Sequence, residues 1–320
     1  MYSVAQLKEV YLKYLMDHPF SKPPKALFEP VDYIMQLGGK RLRPILVLMA
    51  YNLFKEEVTP ALPIAQAVEI FHNFSLVHDD IMDEAPLRRG QPTVHHKYDT
   101  NTGILSGDVM LIYAYQYLLK VHEPTLIPEI MQVFTDVAEG VCVGQQYDMN
   151  FETSDAVTIP AYLHMIECKT ALLLVGALKM GAILAKAQPA DIYHLGEFGR
   201  NIGIAFQLQD DILDTFGDPE KFGKRVGGDI VQNKKTYLVL KTLEVADTAD
   251  QHQLKNLMAT YPENEEGKIE AVRAIFQKNE IQNLADALKN EYQDKAMNHL
   301  KEVNVPAKRK SELIQLATSY

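Results

Sequence analysis

The chain has 320 residues, 47% apolar and 23% charged, with a formal net charge of -10. It is long enough to bury a sizeable core and too apolar for a disordered chain, so it reads as an ordinary soluble globular protein. The acidic balance argues against nucleic acid as a partner, and an anionic ligand would need something positive to bridge it to the protein.

The opening stretch "MYSVAQLKEVYLKYLMDHPF" carries Lys8, Glu9 and Lys13 where a signal peptide would be hydrophobic, which predicts the first helix of a cytoplasmic protein. Next comes the connection "HPFSKPPKALFEP", then "LGGKRLRP" and the helical run "RPILVLMAYNLF". In "ALPIAQAVEIFHNFSLVHDDIMD" the apolar Ile64, Ala67, Val68, Phe71, Phe74, Ile81 and Met82 recur at steps of three and four, the period of one buried helix face. The connection "EAPLRRGQPT" precedes further helical runs at "GDVMLIYAYQYLLKV", "TALLLVGALKMGAILA", "LGEFGRNIGIAFQLQDDILD" and "EAVRAIFQ", with "FGDPEKFGKRVGGD" and "TYPENEEG" as later connections. Strand alternation is not evident. The longest uncharged apolar stretches fall short of the roughly 18 residues a bilayer span needs, so no transmembrane segment is expected. Cys142 and Cys168 lack metal-ligand spacing and read as small buried residues in a reducing compartment. No low-complexity linker divides the chain, which predicts an all-α fold: one large helical bundle and a single domain over residues 1–320.

One motif occurs twice. "DDIMD", with Asp79, Asp80 and Asp83, is echoed by "DDILD", with Asp210, Asp211 and Asp214, and each ends a helical run. Positions i and i+4 share a helix face, so Asp79 with Asp83 and Asp210 with Asp214 each offer two carboxylates one turn apart, which repel unless a cation lies between them. Oxygen ligands without nearby His or Cys suit Mg²⁺, commonly completed by phosphate oxygens, and that supplies the bridge for an anionic ligand. Basic residues accompany both motifs: Lys40, Arg41 and Arg43 in "GGKRLRP", Arg88 and Arg89 after the first, Lys169 in "ECKT", and Lys224, Lys234 and Lys235 after the second.

With these motifs in view, the chain resembles the trans-isoprenyl diphosphate synthases, or polyprenyl synthetases. The resemblance runs through "GGKRLRP", "FHNFSLVHDDIMDEAPLRRGQPTVH", "LSGDVML", "GQQYDMNFE", "KTALLL", "FQLQDDILD" and "FGKRVGGDIVQNKKTYL", in the family's order. It implies an all-α fold with both aspartate motifs facing a central cavity, usually in a homodimer. The implied reaction is Mg²⁺-assisted ionisation of an allylic diphosphate (dimethylallyl, geranyl or farnesyl). The double bond of isopentenyl diphosphate attacks the cation, and a proton then leaves to give an allylic product five carbons longer.

Carried over by the resemblance, Asp79, Asp83 and Asp210 look like the principal magnesium ligands, with Asp80, Asp211 and Asp214 binding through waters or in support. Lys40, Arg43, His72 and Arg89 match positions that bind isopentenyl diphosphate. Arg88, Lys169, Lys224 and Lys234 match those that grip the allylic diphosphate, and Thr170 and Gln207 match groups whose oxygens stabilise the cation. The segment Phe216 to Thr236 is the expected lid. Gly228 stands where the family often has lysine, and the tail "LIQLATSY" lacks the basic end of some members. His78 carries no family role and reads as structural.

Phe74 lies five residues before Asp79, roughly 7.5 Å along a helix axis, with Phe71 one turn below and the small Ser75 beside it. This pattern resembles geranylgeranyl-type, C20 synthases, with the farnesyl (C15) type as the alternative and Tyr113 and Tyr117 as a second candidate floor. Competing readings are a metal phosphohydrolase of the HD type around His78 to Asp80, for which His95 and His96 in a loop fit poorly, a terpene cyclase, and a noncatalytic partner subunit.

Overall fold

The structure is a computed structural model that describes residues 1–154, 156–218, 226–260 and 264–318. It is built almost wholly of helices, as the 3.6-residue periodicity predicts. They are α1 (Val4–Asp17), α2 (Lys25–Gln36), α3 (Leu42–Phe54), α4 (Leu62–Met82), α5 (Val94–Lys97), α6 (Thr100–Leu118), α7 (Ile127–Thr153), α8 (Ile159–Ile166), α9 (Leu172–Leu184) and α10 (Pro189–Phe216). After these come α11 (Gly228–Val231), α12 (Tyr237–Val245), α13 (Thr248–Met258), α14 (Glu265–Lys278), α15 (Ile281–Glu302) and α16 (Ala307–Thr318).

Local chemistry sets several boundaries. Ser3 and Gln6 cap the start of α1 reciprocally, and the side chains of Asp99, Thr158, Asp247 and Asn264 accept backbone hydrogens at the starts of α6, α8, α13 and α14. The connection expected at "HPFSKPPKALFEP" is shorter than its prolines suggest, because α2 already begins at Lys25 and holds Pro30 buried in its first turns. At that sixth position proline lacks the N–H that would reach the Ala26 carbonyl, so the helix continues past one missing bond.

The described residues form two compact units. One comprises Met1–Asp136, Leu173–Gly196 and Val303–Leu313, the other Val137–Leu172, Glu197–Glu302 and Ile314–Tyr320. In the first, α4 packs along α6 and against α1, α2 and α3. Every residue of α4 from Leu62 to Phe71 is buried, so its amino-terminal half is core on all sides and only its carboxyl end reaches solvent. Tyr11 of α1 donates to Gln66 Oε1 of α4 at 3.0 Å. Arg41, grouped above with the phosphate-binding cations, is instead a core residue: it pairs with Glu69 and donates to the Met35 carbonyl, with both charged side chains 2% exposed. A buried charge needs such a partner to stay charged.

In the second unit Ile204, Leu208 and Ile212 of α10 recur at four-residue steps and join Met165 and Ile166 of α8, Leu238 of α12 and Phe276 of α14 in one apolar core. Burying each such side chain contributes about 1.5–3 kcal/mol. The residues between them, Gln207, Asp210 and Asp211, thereby line the cavity described below. Cys168 is buried as expected, whereas Cys142 is exposed.

Candidate active site

In the first unit α4 ends at the first aspartate motif, where the Asp83 amide donates to the Asp79 carbonyl at 2.8 Å. Asp79 is half-buried, Asp83 is exposed, and the last turn carries no basic residue. Carboxylates at a helix carboxyl terminus meet the negative end of the helix dipole. Asp80 is 1% exposed and held by Arg88, whose Nε donates to both carboxylate oxygens at 2.9 and 2.8 Å and whose Nη2 donates to Oδ1 at 2.7 Å.

A two-residue hairpin, missed by the search for strand alternation, places Arg88 there. Strands β1 (Leu87–Arg88) and β2 (Gln91–Pro92) pair antiparallel, and Arg89 and Gly90 between them both have positive φ, 54° and 74°. That pair of conformations matches the strand twist, and "RRG" followed by "QP" is its sequence signal. Arg89 donates to the Gly38 carbonyl. Its guanidinium lies where a side chain on Gly39 would stand, 2.9 Å from the built Cβ, so that glycine (φ 118°) is required by contact as well as by conformation.

Arg43 Nη1 donates to His72 Nε2 at 3.1 Å. Since Arg has only donors, His72 accepts through that nitrogen and is neutral. Burial, then Arg43, Arg89, Arg88 and Arg41, hold its pKa well below the ordinary histidine value. A histidine kept neutral by surrounding guanidinium groups marks a strongly positive place, which suits a diphosphate. Lys40 is exposed on the same Gly38–Arg41 loop.

Below the motif, Phe71 is buried against Phe134 with ring centroids 5.3 Å apart and touches Phe74 at 5.5 Å. Phe74 is half-buried and meets His78 edge-on at 4.9 Å, while Ser75 donates to the His72 carbonyl at 2.9 Å. Tyr113 packs on Phe20 and Phe28, and Tyr117 on Phe20. His95 and His96 lie on the short helix α5 rather than in a loop.

The second unit holds a cavity of about 210 Å³ lined by Asp148, Tyr162, Lys169, Thr170, Gln207, Asp210, Asp211, Asp229 and Lys234, among others. Lys169 and Thr170 reach it from a π turn, Glu167–Ala171, between α8 and α9. Such wide turns interrupt α-helices at functional sites. Two glycine notches admit this one. A Cβ on Gly144 of α7 would lie 2.3 Å from the Lys169 nitrogen, and one on Gly203 of α10 would lie 2.5 Å from Ala171 Cβ. Arg200 of α10 pairs with Glu167 at its start.

Within the cavity Lys169 Nζ pairs with Asp148 Oδ2 at 2.5 Å. Thr170 Oγ1 donates to Gln207 Oε1 at 3.2 Å, Gln207 Nε2 donates to Asp211 Oδ1 at 3.1 Å, and Tyr162 donates to Asp211 Oδ2. Asp211 is thus enclosed like Asp80. Its burial, with Asp229 adding, raises its pKa well above the ordinary value, while the bonds from Tyr162 and Gln207 oppose the rise.

Asp214 accepts the Asp229 amide at its Oδ2 at 3.0 Å, and its carbonyl accepts the Gly227 amide at 2.6 Å. Burial first, then Asp214, pushes the Asp229 carboxyl up to about 6, with Lys234 opposing. Lys235 lines the cavity as well and caps the end of α7: it donates to the carbonyls of Phe151, at 2.9 Å, and Ser154. Lys224, with residues 219–225 of the expected lid Phe216 to Thr236, lies outside the described residues.

Asp148, Asp229 and Tyr162 escaped the sequence reading. Asp148 follows the Gly144 notch by one turn and Asp229 follows the "GG" pair, signals that a search for repeated aspartates passes over. Among the described residues no three His, Cys or acidic side chains are already gathered as a ligand cluster. The carboxylates fit Mg²⁺ nonetheless. Both aspartate motifs end helices whose last turns carry no basic residue, and Asp229 is driven toward its neutral form by burial and then by the Asp214 carboxylate. A hard cation relieves both conditions.

A family model described as polyprenyl synthetase matches residues 24–276. The chain is 38% identical over 301 residues to geranylgeranyl diphosphate synthase of Saccharolobus solfataricus, covering 92% of this chain and 90% of that one. It is 38% identical over 237 residues to short chain isoprenyl diphosphate synthase of Methanothermobacter thermautotrophicus, covering 74% and 73%. A crystal structure of geranylgeranyl pyrophosphate synthase superposes with a TM-score of 0.96 at 42% identity, covering 100% of this chain and 98% of the other.

Proposed function

Because the chain belongs to the polyprenyl synthetase family, we propose that it joins isopentenyl diphosphate to an allylic diphosphate and releases geranylgeranyl diphosphate as its main product. The observation that carries this reading is the cavity in the second unit, where carboxylates at the end of α10 face Lys169 and Lys234 with the oxygen-bearing Thr170 and Gln207 between. Both units serve this one reaction as a single domain.

Asp210 and Asp214, and in the first unit Asp79 and Asp83, would hold Mg²⁺, which when bound neutralises diphosphate oxygens and favours their departure. Lys169 and Lys234 bind the leaving diphosphate as point charges. As its bond to the allylic carbon breaks, positive charge spreads over the allyl group, and the oxygens of Thr170 and Gln207 stabilise it. In the first unit Arg43, Arg89, Lys40 and neutral His72 bind the diphosphate of isopentenyl diphosphate. Its double bond supplies the electron pair of the new carbon–carbon bond, and loss of a proton restores a double bond. Asp80 and Asp211, both sealed by protein donors, support their motifs. Two named geranylgeranyl synthases among the similar proteins support the C20 product.

We also propose a homodimer. Leu105, Ile112 and Leu119 lie seven residues apart along α6 and its end, each more than half exposed, a spacing that makes one apolar seam.

The deciding experiment incubates the pure protein and Mg²⁺ with isopentenyl diphosphate and, in turn, dimethylallyl, geranyl and farnesyl diphosphate, and reads product lengths. Twenty-carbon product from each primer supports the reading, a stop at fifteen carbons makes it a farnesyl synthase, and hydrolysis without elongation defeats it.

A further inference from the structure

Four side chains of the second unit form a continuous hydrogen-bonded chain. Tyr162 of α8, 3% exposed, donates to Asp211, which accepts from the amide nitrogen of Gln207, whose oxygen accepts from Thr170. A side-chain amide is polar in opposite senses at its two ends, and its orientation is decided by the partner at one of them. Here that partner is Asp211, 3% exposed, and both of its oxygens act as acceptors. The amide nitrogen must therefore turn to Asp211 and the oxygen to Thr170 and the cavity.

We propose that Tyr162 is a positioning residue: by anchoring one oxygen of Asp211, it fixes the other where that oxygen takes the Gln207 amide nitrogen, so that the amide oxygen faces the reacting carbons. This rests on the prenyl-transfer reading, in which positive charge develops beside Gln207. An oxygen dipole aimed at that charge lowers the barrier, and a flipped amide raises it. Without the Tyr162 hydroxyl one buried Asp211 oxygen loses its donor, and the carboxylate can turn to find another, drawing the Gln207 amide out of line with Thr170.

The test is a double-mutant cycle. Tyr162→Phe alone should lower kcat about tenfold or more while moving KM for either diphosphate less than about twofold. In a Gln207→Leu background, which has no amide to orient, the same change should cost less than about twofold. A purely structural role predicts equal losses in both backgrounds, and that result overturns the proposal. If Tyr162→Phe lowers the melting temperature sharply, Asp211→Asn replaces it in the cycle. The asparagine keeps the shape but offers its nitrogen to Gln207 while its oxygen takes the Tyr162 hydrogen, so it should turn the amide round and again cost activity only where Gln207 is present. Failure of the unaltered protein to elongate isopentenyl diphosphate overturns the reaction and this inference together. Elongation with equal losses overturns this inference alone.

Discussion

Arg88 lays its guanidinium fork across both carboxylate oxygens of Asp80, eight residues earlier, at 2.7 to 2.9 Å. The aspartate is sealed from solvent while its neighbours Asp79 and Asp83 are not. In the other unit Asp211 is sealed in the same way by Tyr162 and Gln207. The second aspartate of each motif is therefore an internal strut, and the metal proposed above falls to the first and last.

This division separates stability from turnover. Arg88→Met, which strands a buried carboxylate, should cost roughly 3 kcal/mol in a denaturant melt. Asp79→Ala and Asp210→Ala should leave the melt nearly unchanged and lower turnover by about a thousandfold or more. Full activity in excess chelator would rule out the metal role.

Arg89 presses its fork against Gly39 and the Gly38 carbonyl beside the cluster that keeps His72 neutral. Arg89→Lys should raise KM for isopentenyl diphosphate about tenfold and that for the allylic partner far less, because a point charge does not replace a planar fork. Steady-state kinetics with each substrate varied in turn distinguishes the two. The reverse pattern means that the two subsites are exchanged.

Asp229 gives a pH dependence. Its carboxyl is raised from 3.8 to about 6, so the folded chain binds this proton more tightly than the unfolded chain does. Without metal, stability should therefore fall as pH rises from about 4 to about 6, by roughly 2–3 kcal/mol. Asp229→Asn should match the unaltered protein near pH 4 and melt higher at pH 8. Thermal melts in chelator across this range give the comparison, and parallel curves would contradict the prediction.

Phe74 stands half-buried one turn below the first motif, with Phe71 beneath it already locked against Phe134. Phe74→Ala should lengthen the product by at least one isoprene unit at similar total incorporation. Chromatography of the hydrolysed products reads the lengths, and an unchanged distribution in an active variant moves the floor to Phe71 or to Tyr113 and Tyr117.

The helical course of the chain and the paired carboxylates of both motifs were legible in the residues, because hydrophobic spacing and i, i+4 geometry are local properties of one helix. Recurrence of "DDxxD" in two like contexts also pointed to a cation and an anionic ligand. Which aspartate of each motif is enclosed was not legible. Asp80 is claimed by a hairpin that its own helix does not encode, and Asp211 by Tyr162, 49 residues away in the chain. The π turn that carries Lys169 and Thr170 lies inside an unbroken helical pattern, and it exists because Gly144 and Gly203 leave room for it from two other helices. Arg41 looked like its cationic neighbours, yet Glu69 takes it. Periodicity reports which side of a helix faces the core. Partners, desolvation and the charge state of Asp229 depend on segments distant in sequence, and only folding brings those within hydrogen-bonding range.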